Sequence, residues 1–199
     1  ILQVTCETGV QVKTICADYF MEQPLHSTDN EVAGRSLDIL RKLLTASEQL
    51  GATDIVIPCV DKSSLNGEED ERRFISIIQS VMKDAENKCI NLSLEMDLPP
   101  KSFKNLPDKL QSKNITVNYD IGNSASLGFD TDDELDAYGA RISDIHIKDR
   151  VLNGGPIKLG KGNADFGKFF NKLQSFDYQG PLIMQAFRDE EGVEIFKKQ

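Results

Sequence analysis

Nowhere in this chain do apolar residues run on for the ~20 positions that a membrane-spanning helix requires. No charged stretch followed by an apolar one opens it in the manner of a secretory leader. Basic residues are the minority, 23 Lys and Arg against 32 Asp and Glu, for a net charge of −9 over 199 residues. That sign opposes a phosphate backbone as partner, so neither nucleic acid nor membrane is expected, although a few local cations could still hold a small anion. Cysteine is sparse, and Cys6, Cys16, Cys59 and Cys89 form no CxxC pair, which argues against a zinc knuckle or a thioredoxin-like site. Cys16, Cys59 and Cys89 lie in or beside apolar stretches and read as buried reduced thiols of a cytoplasmic protein. No GxGxxG follows the first strand, so the dinucleotide fingerprint is missing. What is present is ordinary globular composition, 39% hydrophobic and 28% charged, which excludes disorder and a disulfide scaffold.

Strand and helix patterns alternate along the chain. Strands are predicted at 10–17, 54–60, 90–95, 115–120, 142–148 and 181–185, and helices at 31–50, 68–87, 100–111, 131–138, 166–175 and 190–197. The helix at 131 opens on a Thr131/Glu134 capping box, and Gly51 and Gly139 stand where helices stop. Six β-α units of this kind imply a parallel sheet with right-handed crossovers in a single domain over residues 1–199. Both faces of an open doubly wound sheet touch helices and read apolar. Here one face is polar in each of three strands: Asn91/Ser93/Glu95, Thr116/Asn118/Asp120 and Asp144/His146/Lys148. A barrel lumen with an active site at its mouth fits that pattern. A TIM (β/α)8 barrel has eight units and about 250 residues. The chain opens on Ile1, and its first residues read as the end of a helix closed by Gly9. The expectation is a TIM barrel truncated at its N-terminus to about six β/α units, with two open edges that a missing part or a partner chain would cover.

Glu95, Asp120 and His146 occupy the same position at the ends of successive strands, and Gln185 follows in the same register. One such acid alone reads as a solvated loop residue. Three in register read as a metal site, with a donor set suited to Mn²⁺, Mg²⁺, Zn²⁺ or Co²⁺. Lys148 shares the face of His146 and either holds a substrate hydroxyl or phosphate or pairs with Asp120 or Asp144. Arg188 either clamps a phosphate or pairs with Asp189 or Glu190. The glycines at 154, 155, 160 and 162 either turn backbone N–H groups toward a phosphate, or form a lid, or are tight turns. Asp165 reads as a helix cap, Asp132, Asp133 and Glu134 as a solvated helix start, and His26 as a surface histidine.

Three segments carry a resemblance: Val117-Asn118-Tyr119-Asp120-Ile121-Gly122-Asn123, Ile145-His146-Ile147-Lys148-Asp149-Arg150, and Leu159-Gly160-Lys161-Gly162-Asn163-Ala164-Asp165-Phe166. Together they resemble the sugar phosphate isomerase/epimerase family of the xylose-isomerase-like TIM barrels, a superfamily that also includes endonuclease IV. The nearest branch is that of the L-ribulose/L-xylulose 5-phosphate 3-epimerase-like and hexulose-6-phosphate isomerase-like proteins. The resemblance implies one divalent metal ion (Mn, Zn, Mg or Co) held by Glu95, Asp120 and His146, a small sugar or sugar phosphate as substrate, and a homodimer. It also implies a metal-stabilised enediolate with Glu95 as general base, and Lys148 and Arg188 on polar or anionic substrate groups. In the epimerases a glutamate, the second acid/base, stands at the position of Gln185. An amide can ligate through its oxygen but cannot accept the proton. Phe20 is a second departure, since the phosphopentulose epimerases carry a histidine there, and Asp18 or Glu22 could supply a polar group instead. The expected function is therefore a metal-dependent isomerase or epimerase. The alternatives are a non-catalytic sugar-binding or interaction barrel and an endonuclease IV-like phosphodiesterase, the latter needing many more histidines than His26 and His146.

Overall fold

The computed structural model describes residues 1–185. In chain order the elements are α1 (Leu2–Thr8), β1 (Thr14–Cys16), α2 (Tyr19–Glu22), α3 (Asn30–Leu50), β2 (Asp54–Cys59) and α4 (Glu68–Asn87). There follow β3 (Asn91–Met96), α5 (Pro100–Leu110), β4 (Ile115–Asp120), α6 (Ile121–Leu127), α7 (Thr131–Tyr138) and β5 (Ile142–Ile147). A short pair, β6 (Asp149–Arg150) and β7 (Pro156–Ile157), precedes α8 (Phe166–Leu173) and β8 (Leu182–Met184). The chain gathers into two compact units, one of residues 1–98 and 105–117, the other of residues 99–104 and 118 onward.

In the first unit parallel strands lie in the order β1-β2-β3-β4. All six residues of β2 are buried, as expected of a strand covered on both faces. Its register sets Pro58 beside Glu95. At the other end of the strand, the buried Asp54 carboxylate accepts from the Thr53 hydroxyl (2.7 Å) and the Asn91 amide (3.0 Å). Helix α3 is started by Asp29, whose Oδ1 accepts from the backbone N–H groups of Glu31 (2.8 Å) and Val32 (3.4 Å). It ends at Gly51, in the left-handed conformation at φ 70°. Its buried residues Ser36, Leu40, Leu44 and Ser47 recur at helical spacing. Helix α4 carries Glu68, Glu69, Asp70 and Glu71 in its first turn, where the helix dipole favours them, and buries Phe74, Ile78, Val81, Met82 and Ala85.

In the second unit β5 runs parallel to β8, with Ile145 beside Leu182, His146 beside Ile183 and Ile147 beside Met184. The strand order continues β4-β5-β8. Consecutive strands are thus neighbours with no reversal, the order of a TIM-barrel wall and not of a doubly wound sheet. The unit's core stacks Tyr119 on Phe169, with centroids 5.1 Å apart and planes 3° from parallel, and packs Phe103 on Tyr138 at 4.8 Å.

Several expectations need correction. The first strand spans only Thr14–Cys16. Helix α6 was not anticipated, because Asp120 ends β4 and at once caps α6 through Oδ1, which accepts from the Asn123 N–H at 2.8 Å. Helix α7 is capped by Asp130, with bonds from Asp132 N–H (2.9 Å) and Asp133 N–H (3.3 Å). Glu134 is therefore no capping-box partner and no solvated residue. It is buried and accepts hydrogen bonds from the Tyr119 and Tyr138 hydroxyls, both at 2.8 Å, and from Ser124. Asp165 does cap α8, accepting from Lys168 N–H at 2.9 Å. The helix expected at 190–197 lies outside the described residues. None of the described helices is long and apolar enough to cross a membrane.

Candidate active site

The second unit brings Asp120, His146, Lys148 and Gln185 to the C-terminal ends of its strands. Asp120 and His146 are both buried. One Asp120 oxygen, Oδ1, is committed to the α6 cap. The other, Oδ2, faces the Lys148 ammonium at 3.3 Å and the His146 ring nitrogen Nδ1 at 3.9 Å. The same Nδ1 lies 3.1 Å from the side-chain amide of buried Asn118, two residues before Asp120 on the same face of β4. Asn118 was not singled out from the sequence, although its place in the polar alternation of β4 was the available signal. The Lys148 stem packs on the backbone of Gly122, where a Cβ would stand 2.8 Å from Lys148 Cγ. This explains why glycine occupies the first turn of α6. Gln185 donates its backbone N–H to the Ile147 carbonyl at 3.0 Å. Its side-chain Oε1 is buried and has no hydrogen-bond partner among the described residues. A buried acceptor without a partner calls for a donor or a cation.

Within the first unit, Glu95 is the penultimate residue of β3, at 6% exposure. A Glu95 carboxylate oxygen and the Cys16 sulfur at the end of β1 lie within 4.8 Å of each other. The Cys16 thiol also donates to Asp18 Oδ1 at 3.1 Å. Cys16 was expected to be buried and is exposed, as is Cys89; only Cys59 of the three is buried. Burial, with the neighbouring Asp97 and Glu95 charges adding to it, pushes the Cys59 thiol far above its ordinary value, so it stays protonated. His26, expected at the surface, is also buried. Arg188 lies outside the described residues.

A hard or borderline divalent ion is served by carboxylate, imidazole and amide oxygens. The residues present supply all three, and the unpartnered Gln185 oxygen is the observation that fits such an ion.

The family model for the xylose isomerase-like TIM barrel matches residues 1–199, and the chain belongs to that family. Among curated relatives, the L-ribulose-5-phosphate 3-epimerase UlaE of Escherichia coli is 28% identical over 192 residues, covering 92% of this chain and 67% of that protein. UlaE of Salmonella paratyphi A is 26% identical over 201 residues, covering 95% of this chain and 69% of that protein. Among solved structures, a xylose isomerase domain protein from Planctomyces limnophilus superposes with a TM-score of 0.82 at 16% identity, over 98% of this chain and 76% of that one. The 3-keto-D-glucoside 4-epimerase YcjR from E. coli gives 0.78 at 16% identity, over 98% and 80%. At these identities the structural likeness establishes the fold, a TIM-type α/β architecture.

Proposed function

We propose that this chain is a sugar isomerase or epimerase acting on a small ketose or its phosphate, with one divalent ion held by Glu95, Asp120, His146 and Gln185. The observation that carries the reading is the Asp120–His146–Lys148 cluster, with the Gln185 oxygen left unpartnered just past the end of β8, in a chain with curated relatives named L-ribulose-5-phosphate 3-epimerase. The ion, when bound, would polarise the substrate carbonyl and so acidify the neighbouring C–H. Glu95 would take that proton, a role for which a buried carboxylate at a strand end is suited. Asp120 has one oxygen fixed by the α6 cap and so cannot swing away from the site. Asn118 holds the His146 ring in place through Nδ1. Lys148 would face the polar or anionic end of the substrate.

Gln185 shapes the chemistry. Inversion at a carbon needs a second base on the far side, and an amide cannot accept a proton at neutral pH. Proton transfer by Glu95 on one face therefore favours aldose–ketose isomerisation over two-base 3-epimerisation. The test begins with elemental analysis of purified protein after incubation with Mn²⁺, beside Glu95→Ala and His146→Ala variants. The expected result is about one divalent ion per chain, lost in both variants. Turnover of a panel of ketose and aldose phosphates then follows. Metal binding without any turnover would replace the enzymatic reading with a sugar-binding barrel. No metal in the wild type would overturn the site itself.

A further inference from the structure

Immediately after Lys148, Asp149 is 1% exposed and its carboxylate is held entirely by backbone. Its Oδ2 accepts from the Gly162 N–H at 2.8 Å and its Oδ1 from the Ala164 N–H at 3.1 Å. A charge buried this deeply is tolerated because two N–H dipoles converge on it. Gly162 is required for the approach, since a Cβ there would run into the Asp149 carboxylate and the Arg150 carbonyl. The clamp is extended on both sides. Asn163 N–H donates to the Arg150 carbonyl at 2.9 Å, and Asn163 Oδ1 accepts from Leu152 N–H at 2.8 Å. Arg150 reaches the Asn123 side chain in the first turn of α6 at 2.8 Å, the turn that Asp120 caps. Lys148 thus sits between the α6 backbone, on which its stem packs, and a loop bolted to the next residue.

Two N–H groups of one loop, those of Gly162 and Ala164, turned toward a single carboxylate form a concavity of the kind that binds an anion. Here the protein's own acid fills it. We propose that Asp149 is a positioning residue. Its carboxylate takes the place of an external anion in the 158–164 loop and, by clamping that loop, fixes Lys148 alongside Asp120 for the substrate. The positioning role rests on the reading of the site given above. The clamp does not, and it makes the loop glycines a fixed wall instead of a phosphate cradle.

The experiment follows the Gly162 and Ala164 amides by hydrogen exchange and NMR in the wild type, Asp149→Asn and Asp149→Gly. Exchange of both amides is expected to quicken by about tenfold or more in the variants. Sodium formate, a carboxylate small enough for the vacated space, should slow it again in Asp149→Gly. Inorganic phosphate added to the wild type should leave both resonances where they are. Unchanged exchange in Asp149→Asn, or wild-type amides that shift with phosphate, would overturn the clamp. With L-ribulose 5-phosphate as probe, Asp149→Asn should raise KM by about tenfold and leave kcat within about threefold, the pattern of lost binding and not of lost chemistry. An unchanged KM in a variant whose amides have lost protection would reduce the clamp to a structural feature and overturn the positioning role. A wild type with protected amides and no turnover on any pentulose phosphate would sink the functional reading, and the positioning role with it, and leave the clamp standing.

Discussion

At His26 a titratable ring is buried with Nδ1 unpartnered among the described residues, edge-on to Phe74 at 6.4 Å, while its backbone carbonyl accepts from Arg73 Nε at 2.9 Å. Burial is the largest influence and lowers its pKa from 6.5. Arg73 acts in the same direction, and Asp70 and a backbone bond at Ser64 oppose them. Below pH 6.5 the unfolded chain therefore binds a proton that the folded chain refuses, so stability is present above 6.5 and lost as pH falls beneath it. Urea unfolding should show a midpoint that declines below this value, and His26→Phe should decline less steeply over the same window. Parallel slopes for the two proteins would mean that His26 titrates freely. From the sequence a histidine after Pro24-Leu25 read as surface, because what buries it, Phe74 and the first turns of α4, lies nearly fifty residues further on. Glu134 was misread for the same reason. A Glu three residues into a helix satisfies the capping-box pattern, whereas the three hydroxyls that claim it come from β4, α6 and α7. Asp120 and His146 were legible because a strand's alternation alone places them, and Asp149 was not because its partners are backbone N–H groups.

Elements were read best where their signals are local. Helix α4 spans Glu68–Asn87 as expected, since its acidic first turn and its apolar spacing lie within the helix. The C-terminal end of α3 was equally plain at Gly51, in the left-handed conformation, whereas its start, expected at Glu31, falls at Asn30 behind an Asp29 cap that had not been singled out. Helix α6 was missed because one residue, Asp120, ends a strand and begins a helix, which leaves no turn for a reader to find. The β6/β7 pair was missed because two-residue strands have no periodicity. The cap of α3 supplies a direct test. Asp29→Ala removes the acceptor of two first-turn N–H groups and should cost about 1 kcal/mol in urea unfolding, with Asp29→Ser recovering most of it. Equal stability of the alanine and wild-type proteins would mean that packing along Leu40 and Leu44, and not the cap, sets where α3 begins.

Across the whole molecule the strand order and the acidic balance together limit what the chain can be. Each strand is laid beside the previous one, an order that alternation alone did not fix; the polar face of the strands carrying Glu95, Asp120 and His146 is what separated a barrel wall from a doubly wound sheet. The net charge of −9 complicates any metal experiment, because a divalent cation also screens self-repulsion without occupying a site. The two effects separate by variant and by saturation. A site bound only in the folded state adds about 2.7 kcal/mol at a hundredfold excess over Kd. In a chain of this size each kcal/mol raises Tm by about 2–4 °C, so Mn²⁺ should raise it by about 5–10 °C along a saturating curve. Asp120→Ala should lose that rise while keeping whatever increment Mn²⁺ gives by screening, an increment that added NaCl of matched ionic strength reproduces. A rise of equal size in the wild type and in Asp120→Ala would assign the whole effect to screening and remove Asp120 from the metal site.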